Sequence, residues 1–124
     1  MRTTTPTGTI LFAHGSRDPL WRQPIEAVAQ RMRASTPAYP VRCAYLELCT
    51  PDIFDSATEL IACGVGTIIV VPLFLGMGKH TREDLPQLMA KLQSQHPAVR
   101  FVLKPAIGEE PRLIALLAQL AMDL

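Results

Sequence analysis

Four short apolar runs, each followed by a segment of helical periodicity, constrain this chain more than any other feature. "GTILFA" (Gly8 to Ala13), "VRCAYLEL" (Val41 to Leu48), "TIIVVPLFL" (Thr67 to Leu75) and "VRFVLKPAI" (Val99 to Ile107) are strand-length and rich in β-branched residues. Continuous apolar runs of that kind read as strands buried on both faces of a parallel sheet. Between them the apolar spacing changes to that of helices. Trp21, Ile25, Val28, Ala29 and Met32 mark a helix over about Leu20–Ser35, with Asp18 as its cap and Pro19 near its first turn. Ile53, Ala57, Leu60 and Ile61 mark a second, with Thr50 expected as its cap, Pro51 at its first position, and Gly64 and Gly66 at its end. Leu85, Leu88, Met89 and Leu92 mark a third, opened by Thr81 with Asp84 as a weak capping box and stopped at His96 and Pro97. Glu110 and Pro111 open a fourth, in which Leu113, Ile114, Leu116, Leu117, Leu120 and Leu124 spread over more than one narrow stripe.

This alternation predicts an α/β fold: a four-stranded parallel sheet flanked by helices on both faces and linked by right-handed crossovers. The third run is the most hydrophobic and should lie inside the sheet. Pro72 within it removes a ladder donor, so pairing there is one-sided or already ending. At 124 residues, 48% of them hydrophobic, the chain (1–124) reads as one domain with a real core.

Charge excludes several function classes. Twelve basic residues against 11 acidic ones leave no footprint for nucleic acid or a membrane surface. No apolar stretch approaches the roughly 18 residues a membrane helix needs. "MRTTTPTGTI" has no apolar core of signal-peptide length. Cys43, Cys49 and Cys63 are odd in number and show no CxxC spacing, which suits reduced thiols in a cytoplasmic protein.

In an open α/β sheet, ligands bind beyond the carboxyl ends of the strands, where strand order reverses. The loop after the first strand carries His14, Gly15, Ser16, Arg17 and Asp18; the second strand ends on Glu47; the loop after the third carries Gly76, Gly78, Lys79, His80, Thr81 and Arg82. If strands 1 and 3 are neighbours, His14, Glu47 and His80 meet at one edge. Imidazole and carboxylate bind divalent ions of the iron, cobalt, nickel and zinc range, and imidazole also accepts protons near neutral pH. Each residue has a plainer reading: a histidine at a strand end can be an ordinary hydrogen-bonding loop residue, and Glu47 a solvated strand end. Arg17 and Arg82 are surface charges or a grip on an acidic ligand. His96 reads as a helix C-terminal histidine favoured by the dipole. "GMGKH" and "HGSRDP" match neither GxxxxGK[ST] nor GxGxxG, and no GxSxG elbow is present.

"HGSRDP" after a first strand, "YLEL" after the second and "VPLFLGMGKHTREDLP" after the third resemble the sirohydrochlorin chelatases. These class II tetrapyrrole chelatases insert cobalt or iron into sirohydrochlorin, and the resemblance covers nearly the whole chain. It implies the short CbiX-type form, a chelatase-like (flavodoxin-like) half-domain that works as a homodimer. It implies a metal-insertion enzyme of cobalamin or siroheme biosynthesis. Co²⁺ is the first expectation as metal substrate, with Fe²⁺ and Ni²⁺ as alternatives, and no organic cofactor. His14 and His80 match the family's histidines, which ligate the metal, accept pyrrole protons, or both; Glu47 matches the acidic residue that assists. Ser16, Arg17, Lys79, Arg82 and Phe74 are expected to hold the tetrapyrrole, the basic ones through its carboxylates; Leu75 and Met77 could join Phe74 on the ring face. A non-catalytic metal or tetrapyrrole carrier and a phosphoryl-transfer enzyme with His14 as nucleophile are the competing readings.

Overall fold

A computed structural model describes residues 6–123. Its strands are β1 (Thr7–Ala13), β2 (Val41–Tyr45), β3 (Thr67–Pro72) and β4 (Arg100–Leu103). The helices are α1 (Gln23–Ser35), α2 (Ile53–Ala62), α3 (Lys79–Gln95) and α4 (Pro111–Met122), with 3-10 turns at Pro19–Arg22 and Ile107–Glu109. All pairings are parallel, in the order β2-β1-β3-β4. Strands 1 and 3 are therefore hydrogen-bonded neighbours, as expected, and the reversal of strand order falls between them. Thr9 pairs with both Val41 and Ile69, which sets the register across the middle of the sheet.

The larger core lies on one face, where α2 and α3 pack. Ile10, Phe12, Ala44, Leu60, Ile68, Val70 and Leu92 are there without measurable exposure. The opposite face holds a smaller cluster of Leu11, Ala29 and Val41 under α1, with Ile25 and Met32 half-buried against it. Ile25, Ala29 and Met32 are the i, i+4, i+7 row that touches the sheet. Val28, expected on that stripe, is 44% exposed because it lies off the row.

Element boundaries depart from expectation where side-chain chemistry overrides pattern. Strand 2 ends at Tyr45, not Leu48. The Tyr45 N–H turns to Pro51 O at 2.9 Å, and Leu48 takes a left-handed φ of 69°, which no strand accommodates. Helix 2 is capped by Asp52, not Thr50: Asp52 accepts from the Asp55 N–H at 2.8 Å, and Asp55 accepts in return from the Asp52 N–H at 3.3 Å. A carboxylate at the positive helix end wins over a threonine upstream. Helix 3 starts at Lys79 with Gly78 as its cap, so Thr81 and Asp84 lie inside it. The Gly78 carbonyl already accepts from the Arg82 N–H at 3.0 Å, which closes the first turn. Strand 3 stops at Pro72, where the missing donor predicts it. Asp18 caps the 3-10 turn that leads into α1, accepting from the Leu20 N–H at 3.0 Å. The fourth helix begins after Glu110 as expected, yet none of its described residues is buried; Leu124 lies outside the described residues. No helix among the described residues is long and apolar enough to cross a membrane.

Tyr45, at the end of β2, supplies a stability prediction. It is 2% exposed, and its hydroxyl has no hydrogen-bond partner. Burial pushes its pKa up to about 12, with Cys43 and Glu26 acting in the same direction and Arg22 opposing. The unfolded tyrosine ionises near pH 10 while the folded one stays neutral. The contribution is therefore fully present below about pH 10 and is lost as pH rises from about 10 to about 12, on the order of 2 kcal/mol in all. Urea midpoints at about pH 8 and about pH 11 should show this fall in the native chain and a smaller one in Tyr45→Phe. An equal fall in both contradicts the assignment.

Candidate functional site

β1 delivers His14 to the open edge of the sheet at the point where strand order reverses. Beyond Tyr45 the chain stays alongside: the Leu46 N–H donates to Ala13 O at 2.9 Å and the Glu47 N–H to His14 O at 3.1 Å. These bonds extend the β1–β2 ladder past the last regular strand residue. They set the Glu47 side chain beside the imidazole, with Oε1 at 3.3 Å from His14 Nε2. Both side chains are a little over half exposed (54% and 56%), so an incoming ligand reaches either. The floor beneath them is aromatic. Phe74 meets the His14 ring edge-on at 6.2 Å and the Phe12 ring at the same centroid distance.

Gly15 makes this arrangement possible, a role the sequence did not disclose. Its φ is +105°, and a Cβ there would sit 1.8 Å from the Glu47 carbonyl oxygen. Only glycine lets the His14 loop lie this close to the backbone that carries Glu47. The residue that follows Glu47 is strained as well: Leu48 holds its φ of 69°, a conformation typical of functional segments. Gly15→Ala should therefore separate His14 from Glu47 and destabilise the fold by roughly 1–3 kcal/mol. Its activity should fall at least about tenfold even at temperatures where circular dichroism shows it fully folded. Unchanged activity would show that the close approach is irrelevant to the site.

The remaining expected residues sort by position. The Ser16 hydroxyl accepts from the Asp18 N–H at 3.1 Å and shapes the loop. Arg17 is exposed next to it. Lys79, His80 and Arg82 lie exposed in the first turns of α3, whose first turn holds no acidic residue and whose cap makes no side-chain hydrogen bond. Phe74 belongs to the core, and Met77 is half-buried against it. Leu75, 69% exposed, is the apolar side chain of that strip open to a ligand. His96 caps the end of α3 as expected, with its N–H donating to Leu92 O. Among the described residues no group of three His, Cys, Asp or Glu side chains stands close enough to hold one ion. His80 thus does not join His14 and Glu47 as a third ligand within one chain. One imidazole paired with one carboxylate leaves most positions of a bound ion open to exchange.

The CbiX family profile matches residues 8–124. A curated sirohydrochlorin cobaltochelatase of Methanopyrus kandleri is 35% identical over 80 residues, 64% of this chain and 56% of that protein. The chain thus matches little more than half of that relative's length. Among solved structures, one described as a cobalamin (vitamin B12) biosynthesis CbiX protein from Marinobacter aquaeolei VT8 has a TM-score of 0.82 at 34% identity and is covered to 94%, as is this chain. The sirohydrochlorin chelatase SirB of Bacillus subtilis subspecies spizizenii, solved in complex with cobalt, has a TM-score of 0.80 at 25% identity. That match takes in 96% of this chain and 51% of SirB.

Proposed function

This chain belongs to the CbiX family, and on that premise we propose that it is a sirohydrochlorin chelatase that inserts a divalent metal, Co²⁺ foremost, into the tetrapyrrole for cobalamin or siroheme biosynthesis in the cytoplasm. The observation that carries the reading is the accessible His14–Glu47 pair at the strand-order reversal, with Nε2 and Oε1 3.3 Å apart. Insertion has two demands. The ion must exchange its ligands one at a time for ring nitrogens, and two pyrrole N–H protons must leave.

His14 serves the first demand as a neutral imidazole ligand to the incoming ion. Glu47 orients that ring and offers a second donor or a proton acceptor. A pair with open positions can pass its ion on, whereas a closed four-ligand set would retain it. His80 supplies a second imidazole to take a pyrrole proton or to share the ion. Lys79 and Arg82 put positive charge at the α3 N-terminus, where the helix dipole disfavours it; carboxylates of the substrate would offset that cost. Arg17 would act likewise from the first loop, Ser16 would offer its hydroxyl to the same carboxylates, and Leu75 above Phe74 would meet the flat ring face.

One small domain cannot enclose so wide a macrocycle, so two copies about a two-fold axis form the cleft. The match of this chain to 51% of SirB supports that arithmetic.

The test is turnover. Sirohydrochlorin and Co²⁺ are mixed with far less protein than tetrapyrrole, and the visible spectrum is followed. The reading expects many equivalents converted per chain, faster than without protein. Conversion that stops at one equivalent per site would make the protein a carrier, and a rate equal to the blank would exclude catalysis.

A further inference from the structure

A cavity of about 250 Å³ opens between α1 and the edge strand β2. Arg22, Glu26 and Arg33 line it from the helix side, at spacings that keep them on one face. Cys43 and Tyr45 line it from β2, two residues apart and so on one side of the strand, and Arg42 completes the wall. Neither His14 nor Glu47 belongs to it. Two polar atoms of its lining are buried without a hydrogen-bond partner: the Tyr45 hydroxyl and Arg22 Nε. Tyr45 as a whole is 2% exposed. Folded proteins leave few buried donors unmatched, because each one costs its full desolvation. The Arg22 guanidinium lies over the Tyr45 ring, 5.8 Å from its centre, which holds the two unmatched donors next to each other.

Charge points the same way. Three guanidinium groups line this space against one carboxylate, that of Glu26. Arg42 is engaged: its Nε stands 3.6 Å from Glu59 Oε2, and its Nη1 donates to Val41 O at 2.9 Å. Arg33 donates to that same carbonyl, also at 2.9 Å, so two cations gather on one neutral oxygen. Among the described residues neither Arg22 nor Arg33 has a carboxylate partner. Burial pushes the Cys43 thiol up, with Arg33 opposing. Burial likewise holds Tyr45 at about 12. Near pH 7 both are neutral, and Tyr45 keeps its proton to donate. Water could bond that hydroxyl, but it would not neutralise two unpaired guanidinium charges.

We propose that this cavity binds a phosphate dianion, either free or as the end of a phosphomonoester, on Tyr45, Arg22 and Arg33. Two guanidinium charges match a dianion better than a single carboxylate. The donors also approach from two elements, helix and strand, which suits a tetrahedral oxyanion better than a flat one. The cavity exceeds what a single water fills, and Arg33 at its rim is exposed, so an ester arm can point outward. A metal ion is a poor occupant, since the lining carries more positive charge than negative. The site is separate from the His14–Glu47 edge and stands whether or not the chain is a chelatase.

The experiment titrates the full chain with inorganic phosphate in a calorimeter, at about pH 8 where the ion is chiefly a dianion. One phosphate per chain is expected. Tyr45→Phe, Arg22→Gln and Arg33→Gln should each weaken it at least about tenfold, the loss of a hydrogen bond to a charged group. Arg31→Gln, on an exposed position of α1 outside the cavity lining, should leave it unchanged. In the native chain the Arg22 Nε–H resonance should shift as phosphate saturates, because that donor gains its acceptor. This readout needs no variant and so does not depend on any variant folding. Glycerol 3-phosphate in a parallel titration separates the two sources: tighter binding than phosphate assigns the site to esters, and weaker or equal binding to the free ion. The proposal is overturned if neither ligand binds, if Arg31→Gln weakens binding as much as Arg22→Gln does, or if phosphate binds and the Arg22 resonance stays in place.

Discussion

His14→Ala should slow cobalt insertion by about 10²- to 10⁴-fold, the loss typical of a residue that handles protons or holds the reacting ion. His14 stands where the sheet reverses its strand order, half-exposed, with Glu47 at 3.3 Å. Its ring is braced below by Phe74. Removing the imidazole takes away the proposed ligand and acceptor together. The fold should not notice: an exposed loop side chain contributes within about 0.5 kcal/mol of nothing. Thermal unfolding of the variant should thus overlay that of the native chain while the initial rate collapses. The loss should appear in kcat more than in KM, because the proposed function has His14 act on the ion and the pyrrole protons rather than on the carboxylates that hold the substrate. A variant retaining the native rate would remove His14 from the chemistry.

Phe12→Ala should cost about 3–5 kcal/mol, the price of a large cavity in a packed core. Phe12 is fully buried on β1, an interior strand bonded on both sides. Its ring meets Phe74 edge-on at 6.2 Å. A domain of this size holds only about 5–15 kcal/mol in total, so the variant should lose on the order of 10–20 °C in melting temperature. It should also lose activity before it melts, because Phe74 loses the ring that fixes it beneath His14. Phe12→Leu, which fills most of the volume, should recover most of both. Denaturant melts with a rate measurement at each temperature check this; a Phe12→Ala chain within about 1 kcal/mol of native would contradict the packing described.

The parallel order of strands and the partnership of β1 with β3 were legible because buried strands and amphipathic helices leave different periods in sequence. The edge carrying His14 and Glu47 was legible for the same reason: loops after parallel strands share one end of the sheet. What escaped was local. Asp52 displaced Thr50 as a cap through a reciprocal pair with Asp55, a contest between neighbouring donors that periodicity does not register. The start of α3 moved to Lys79 because Gly78 can cap through its backbone alone. That shift puts His80 within the first turn of the helix. The role of Gly15 was invisible because the atom it yields to, the Glu47 carbonyl, is distant in sequence. The apolar breadth of α4 was visible, but whether such a helix is core or interface depends on the space around it, and here it lies outside the core.

The claim that metal insertion is run from the His14–Glu47 edge is tested most directly by a crystal of this protein soaked in Co²⁺ and measured at the cobalt absorption edge. The predicted result is an anomalous peak about 2.0–2.2 Å from His14 Nε2, in reach of Glu47, and absent from His14→Ala crystals treated alike. Cobalt bound elsewhere with this pair vacant, or held in the same place after the histidine is removed, would contradict it.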